Sequence, residues 1–192
     1  MTMFAAFLAT SLDGYIARRD GSIDWLEKAN ALVSSGEDCG YSEFFSSIDC
    51  IVLGRKSFDK VMSFPEWPYV GKKVYVLSRL GIQRDAAELP PGVSVVSASV
   101  ANLAQMLQEK GHRKVYVDGG EVVRQFIQSG LLDELTITRI PVLIHKGTRL
   151  FDDFNDDETL NRTDVWLELT NSCSWPFGFT QEKWSLRKTK SP

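Results

Sequence analysis

Three short stretches hold the residues best suited to chemistry: Gly54-Arg55-Lys56-Ser57, Leu77-Ser78-Arg79 and Gly119-Gly120-Glu121-Val122-Val123. Each follows a run rich in β-branched residues, so each reads as the turn that leaves a buried strand. Glycine has no Cβ, so backbone can approach a ligand closely at Gly119-Gly120. A helix starting there offers unbonded N–H groups to an anion. Arg55 and Arg79 add planar guanidinium forks suited to a phosphate monoester, Lys56 a point charge, and Ser57 and Ser78 hydroxyls. In open α/β sheets, ligands bind beyond the carboxyl ends of the strands. If these strands are parallel, the turns share one rim, and their combined chemistry suits a phosphorylated nucleotide. Taken singly, Gly119-Gly120 also reads as a sharp turn and Arg55-Lys56 as a solvated helix start. The G-x-G-x-x-G pattern is absent, which argues against a standard Rossmann domain.

Carboxylates form the second group. Asp24 precedes Trp25, and a carboxyl beside an indole in a pocket can have a raised pKa and relay a proton. The competing reading makes Trp25 a core anchor. Asp13, in Asp13-Gly14, reads first as a turn former. Asp38 and Glu43 read as solvated acids. Asp118 ends an otherwise apolar strand, and a buried carboxylate without a partner is costly, so Asp118 is expected to face a cleft. His112 and His145 are isolated from any metal-ligand partner, and no serine or cysteine has an identifiable base, which disfavours a hydrolase.

The elements that must position these groups fit one domain of 192 residues with room for a sizeable core. The net charge of -3 argues against nucleic acid as a partner. The short basic runs Arg18-Arg19 and Arg187, Lys188 and Lys190 read as solvated ends. Three widely spaced cysteines suggest neither a disulfide framework nor a metal knuckle, and Cys50 reads as a core filler. No stretch approaches a membrane span or a secretory leader, so a cytoplasmic setting is expected.

Along the chain, strands are expected at Phe4–Thr10, Tyr15–Ala17, Asp49–Leu53, Lys73–Ser78, Val93–Ser97, Val115–Val117 and Leu135–Leu143. Helical stretches are expected at Trp25–Val33, Tyr41–Ser47, Phe58–Met62 and Glu121–Ser129, with another capped by Ser99 whose apolar positions are Val100, Leu103, Ala104 and Leu107. Asn155–Asn161 reads as an acidic loop, and Val165–Leu169 with Thr180–Leu186 as an antiparallel pair around Pro176-Phe177-Gly178. Alternating strands and helices closed by a hairpin predict an α/β fold: a mostly parallel mixed sheet, helices on both faces and an antiparallel edge.

The order and spacing of five motifs resemble the dihydrofolate-reductase-like superfamily, in particular the branch of the riboflavin-biosynthesis reductase domain. The motifs are Ser11-Leu12-Asp13-Gly14-Tyr15-Ile16-Ala17, Ile51-Val52-Leu53-Gly54-Arg55-Lys56-Ser57-Phe58, Val76-Leu77-Ser78-Arg79, Val117-Asp118-Gly119-Gly120 and Leu135-Thr136-Ile137-Thr138-Arg139-Ile140-Pro141. The resemblance implies a three-layer α/β/α fold and NADPH as cofactor. Arg55, Lys56, Ser57, Ser78 and Arg79 would hold the adenosine 2′-phosphate, and Gly119 to Val123 the pyrophosphate. Ile16 would lie against the nicotinamide, and Trp25 would also touch the cofactor. Thr138 would line the substrate pocket, and Asp118 would be a substrate-side carboxylate. True dihydrofolate reductases open their first helix with a proline-containing segment and an acid; that segment is not found here, Asp24 is the carboxylate near that place, and Glu121 stands where a basic residue is frequent. The implied activity is hydride transfer from NADPH to a small pterin-like or pyrimidine-like heterocycle, with Asp24 and then Asp118 as candidate proton relays, and Thr138 orienting the substrate or that acid. The resemblance also makes a homodimer plausible. The alternative is a non-catalytic NADP(H)-binding sensor or partner-binding module.

Overall fold

β-Branched and aromatic residues dominate the central strands because both faces of a parallel sheet are buried. In the computed structural model, which describes residues 1–82, 88–151 and 164–186, Cys50, Ile51, Val52, Leu53, Val74, Val76, Val115 and Val117 have no accessible surface. The strands are β1 (Met3–Ser11), β2 (Tyr15–Arg18), β3 (Cys50–Gly54), β4 (Lys73–Leu77), β5 (Val93–Val96), β6 (Lys114–Asp118), β7 (Glu134–Ile140), β8 (Gly147–Arg149), β9 (Leu167–Ser174) and β10 (Thr180–Leu186). The helices are α1 (Asp24–Asn30), α2 (Tyr41–Ser47), α3 (Arg55–Val61), α4 (Val100–Glu109) and α5 (Gly120–Gln128). Eight strands form one sheet in the order β5-β4-β3-β6-β1-β7-β10-β9, and β2 and β8 form a second. Pairs β1–β6, β3–β6, β3–β4 and β4–β5 are parallel; β10 is antiparallel to both β7 and β9. The expected α/β class, with a mostly parallel mixed sheet and an antiparallel hairpin at its end, is therefore what the chain forms.

By contact density the chain divides into two compact units. The first comprises Met1–Ala6 and Phe45–Leu132, the second Phe7–Phe44 and the chain from Asp133 onward. In the first unit, Ser99 caps α4 by accepting a hydrogen bond from the Asn102 N–H at 3.2 Å, and all four predicted apolar positions of that helix are buried. In the second unit, Tyr15, Trp25, Ala29, Cys39, Ile140, Ile144 and Phe179 form a buried cluster.

Several boundaries differ from expectation for identifiable reasons. α3 begins three residues early, at Arg55, because Gly54 takes an extended conformation (ψ 158°) and can serve as its N-cap. β7 stops at Ile140, before Pro141, which lacks the N–H a ladder needs. The short β8 carried no sequence signal. It pairs antiparallel with β2, and a Cβ on Gly147 would overlap the Ala17 carbonyl oxygen. The acidic loop at Asn155–Asn161 and the basic residues Arg187, Lys188 and Lys190 lie outside the described residues. Among the described residues no helix is long and apolar enough to cross a membrane.

Candidate functional site

In the first unit, the parallel register brings the three polar turns to one rim. Gly54 lies beside Leu77, Leu53 beside Asp118 and Leu77 beside Val96. Gly119 takes φ 96° and ψ 129°, a region costly for any residue with a Cβ, and Gly120 opens α5. Helix geometry leaves the N–H groups of Gly120, Glu121 and Val122 without acceptors inside α5, and the Val123 N–H donates to the Gly119 carbonyl at 2.9 Å. The first three N–H groups give this end of α5 the chemistry that suits an anion.

The glycines also have a closer customer than a ligand. A Cβ on Gly119 would overlap Ser57 Oγ and lie 3.1 Å from Ser57 Cβ. A Cβ on Gly54 would lie 2.9 Å from a methyl of Val122. The turn after β3 and the turn after β6 therefore pack directly together, and the missing side chains permit this. Sequence reasoning took the glycines as room for a ligand. It missed this contact because nothing in a linear sequence pairs Ser57 with Gly119.

The polar side chains of the rim divide into committed and open groups. Ser78 is buried, and its hydroxyl donates to the Gly81 carbonyl at 2.6 Å while its N–H donates to Val96 at 3.0 Å. It thus shapes the turn that presents Arg79, and Arg79 itself is exposed. Arg55, half-exposed, sits 3.6 Å from Asp59 one turn along α3, a weak surface pair that is easily exchanged for another anion. Lys56 is exposed. Glu121 is exposed in the first turn of α5, with Gln125 at 3.5 Å. Its carboxylate suits the helix dipole but would oppose a bound phosphate, so only its N–H serves an anion.

Asp118 keeps some accessible surface as a residue, but its carboxyl is enclosed. The Tyr69 hydroxyl donates to Oδ2 at 3.0 Å, and Oδ1 accepts the Gly119 N–H at 2.8 Å. Burial pushes its pKa above the ordinary carboxylate value, against hydrogen bonds from Tyr69, Gly119 and Tyr116 that favour the charged form. Tyr69 is itself buried and held edge-on by Trp67 at 5.3 Å between ring centroids.

In the second unit, Asp24 begins α1 and is gripped by two cations: the Arg18 guanidinium and, at 3.2 Å, the Lys28 ammonium. The Arg18 hydrogen bond is the chief reason its pKa is held down to about 2. This is the opposite of the raised pKa expected for a carboxyl in a pocket beside an indole. Asp13 is a staple. Burial works to raise its pKa, but the Ser11 hydroxyl and the His145 and Ile144 N–H groups together bring it down to about 2. Those bonds measure 2.6, 2.8 and 3.2 Å and pin the first loop to the segment after β7.

Ile16 lies where the β2–β8 register slips, Tyr15 facing Arg149 and Ala17 facing Thr148. That bulge lets one residue leave the ladder and re-aims its side chain. Trp25 is a buried member of the second unit's cluster, so it is a core anchor. Its indole N–H is also a buried donor with no acceptor among the described residues, an arrangement native proteins rarely leave unanswered. Thr138 is buried on β7, and its Oγ1 accepts from Gln181 Nε2 at 2.8 Å. Neither Tyr69 nor Gln181 was singled out from sequence. The first lies in a proline-rich loop, and the second sits opposite Thr138 only through the β7–β10 register. Cys50 is fully buried, and burial pushes its thiol up to about 12, as a core filler should behave.

Residues 3–177 match the model of the RibD C-terminal domain. The chain is 35% identical over 156 residues to the uncharacterized protein YwjB of Bacillus subtilis (strain 168), covering 80% of this chain and 85% of that one. Among solved structures, a protein provisionally assigned to riboflavin biosynthesis from Shewanella sp. PV-4 superposes with a TM-score of 0.85 at 30% identity, covering 97% of this chain and 100% of that one. A dihydrofolate reductase from Enterococcus faecalis complexed with NADP(H) superposes with a TM-score of 0.61 at 18% identity, covering 97% of each chain, which is a likeness of fold.

Proposed function

This chain belongs to the RibD C-terminal domain family, and on that premise we propose that it is an NADPH-dependent reductase acting on a small pterin-like or pyrimidine-like heterocycle. The observation that carries the proposal is the joined pair of turns at Gly54–Ser57 and Gly119–Val122, with the open N-terminus of α5 on the same rim as the basic turns after β3 and β4. Arg55, Lys56 and Arg79 would take a 2′-phosphate, with Ser57 and Ser78 shaping the turns around it and the backbone at Gly54 and Leu77 lining it. The N–H groups from Gly120 to Val122 would take the pyrophosphate, with Gly119 and Val123 closing the turn. Ile16 and Trp25 keep the cofactor contacts that the family resemblance implies for them, Ile16 at the nicotinamide.

NADPH, when bound, supplies a hydride from its nicotinamide C4. The chain supplies alignment and exclusion of water. Any proton the substrate needs is better held by Asp118, whose burial favours the neutral acid, than by Asp24, which Arg18 and Lys28 keep ionised. Thr138 offers a buried hydroxyl for substrate orientation.

The test is a turnover screen that follows loss of the reduced nicotinamide absorbance against pterins and pyrimidines. Oxidation with one of them, abolished in Asp118→Asn and retained in Asp24→Asn, is expected. NADPH binding without turnover of any compound would favour the sensor reading.

A further inference from the structure

Gln181 is held more rigidly than a half-buried surface amide needs to be. It lies on β10 directly opposite Thr138 on β7 and Cys173 on β9. Its Nε2 carries two hydrogens, and both are committed: one to the Cys39 carbonyl at 2.9 Å, the other to Thr138 Oγ1 at 2.8 Å. The carbonyl can only accept, so the amide orientation is fixed, because a flipped amide would set two oxygens together.

Two consequences follow for the atoms left over. Thr138 Oγ1 already accepts a hydrogen bond, so its own hydrogen is available to donate. Gln181 Oε1 has no partner among the described residues, and it does not number among their sealed, unsatisfied polar atoms. The pair thus leaves one donor and one acceptor uncommitted at fixed positions, the donor on a buried threonine whose place is itself set by the amide. An edge of that kind complements a ring carbonyl beside a ring N–H, as in a cyclic amide. It does not complement a ring that has lost that N–H.

We propose that Gln181 is a specificity-determining residue that, with Thr138, reads the N–H/C=O edge of the heterocyclic substrate. This rests on the reductase reading for the identity of the site, but the recognition can be measured without turnover or cofactor. The pair would also serve as a filter, since a site built to bond an N–H leaves its acceptor unpaired when a methyl replaces the hydrogen.

The test uses a diaminouracil and the same compound with both ring nitrogens methylated, each titrated into the full chain by calorimetry, with and without NADPH. The unmethylated compound should bind tighter by about tenfold or more. Gln181→Met keeps the length of the side chain but no polar atom, and it should bring the ratio close to one. Thr138→Val keeps the shape and removes the hydroxyl, and it should lower the ratio while thermal melting shows the fold intact. Equal binding of the two compounds by the wild-type chain, failure of both to bind, or an unchanged ratio in Thr138→Val would overturn the proposal, even if Gln181→Met did not fold. Discrimination that persists in a chain unable to bind NADPH would instead overturn the reductase reading and leave the recognition pair standing.

Discussion

The packing of the two strand-end turns makes Gly119→Ala the most informative perturbation of the fold. Alanine at φ 96° carries a backbone cost of about 1–3 kcal/mol. Its Cβ would also overlap Ser57 Oγ and press on Ser57 Cβ at 3.1 Å, and overpacking of that kind costs about 1–3 kcal/mol. Together the substitution should destabilise the chain by about 2–6 kcal/mol, a large part of the roughly 5–15 kcal/mol typical of a domain. The two costs separate in a double-mutant cycle. Ser57→Ala removes the overlapping hydroxyl and leaves the backbone cost, so the double variant should recover about 1 kcal/mol or more relative to additivity. Urea denaturation midpoints at constant slope provide the readout. A Gly119→Ala chain within about 0.5 kcal/mol of wild type would refute the reasoning. An additive cycle would show that the turns do not meet as described.

Four further outcomes are expected. Tyr69→Phe removes a hydrogen bond that stabilises the Asp118 carboxylate, so the Asp118 pKa should rise further; a carboxyl-carbon NMR titration that moved it down, or left it in place, would contradict the assignment. Asp13 titrates near 2 in the folded chain against an ordinary 3.8, so its stabilising contribution is complete above 3.8 and fades as pH falls toward 2. Asp13→Asn should therefore flatten the acid limb of the stability curve in that window, and a curve of unchanged steepness would exclude the staple. Glu121→Gln removes a negative charge from the mouth of the proposed pyrophosphate seat and should tighten NADPH binding severalfold at low salt, with the gain shrinking as salt rises; weaker binding would show that the carboxylate is not near the phosphates. Gly147→Ala should disrupt the β2–β8 pairing through the Ala17 carbonyl and change amide exchange at Ala17 more than at β6, whereas uniform or absent change would argue against that contact.

Much of the fold is legible in the sequence because its strongest signals are local. The valine and isoleucine runs of β3, β4 and β6 are buried on both faces, and such runs announce themselves. Ser99 and the apolar spacing of α4 likewise carry their own evidence. The three turns could be placed on one rim because parallel strands leave no other arrangement for consecutive strand ends. Relations set by register or packing were hidden. Gln181 faces Thr138 across 43 residues of chain, and Tyr69 reaches Asp118 across 49. Asp24 looked like a pocket acid beside an indole, but Arg18, six residues earlier, swings back to hold it, and the loop geometry that permits this has no sequence signature.

The central claim is that the rim of the first unit holds a cofactor carrying a 2′-phosphate. Titrating NADPH and NADH in parallel into the wild-type chain, Arg55→Ala and Arg79→Ala, and following tryptophan quenching, tests it most directly. The account predicts that NADPH binds tighter than NADH. Each arginine substitution should weaken NADPH by about 1.5–3 kcal/mol and leave NADH nearly unchanged, because a charge-assisted contact to the phosphate is lost only where the phosphate exists. Equal losses for both nucleotides, or no binding of either below millimolar concentration, would contradict it.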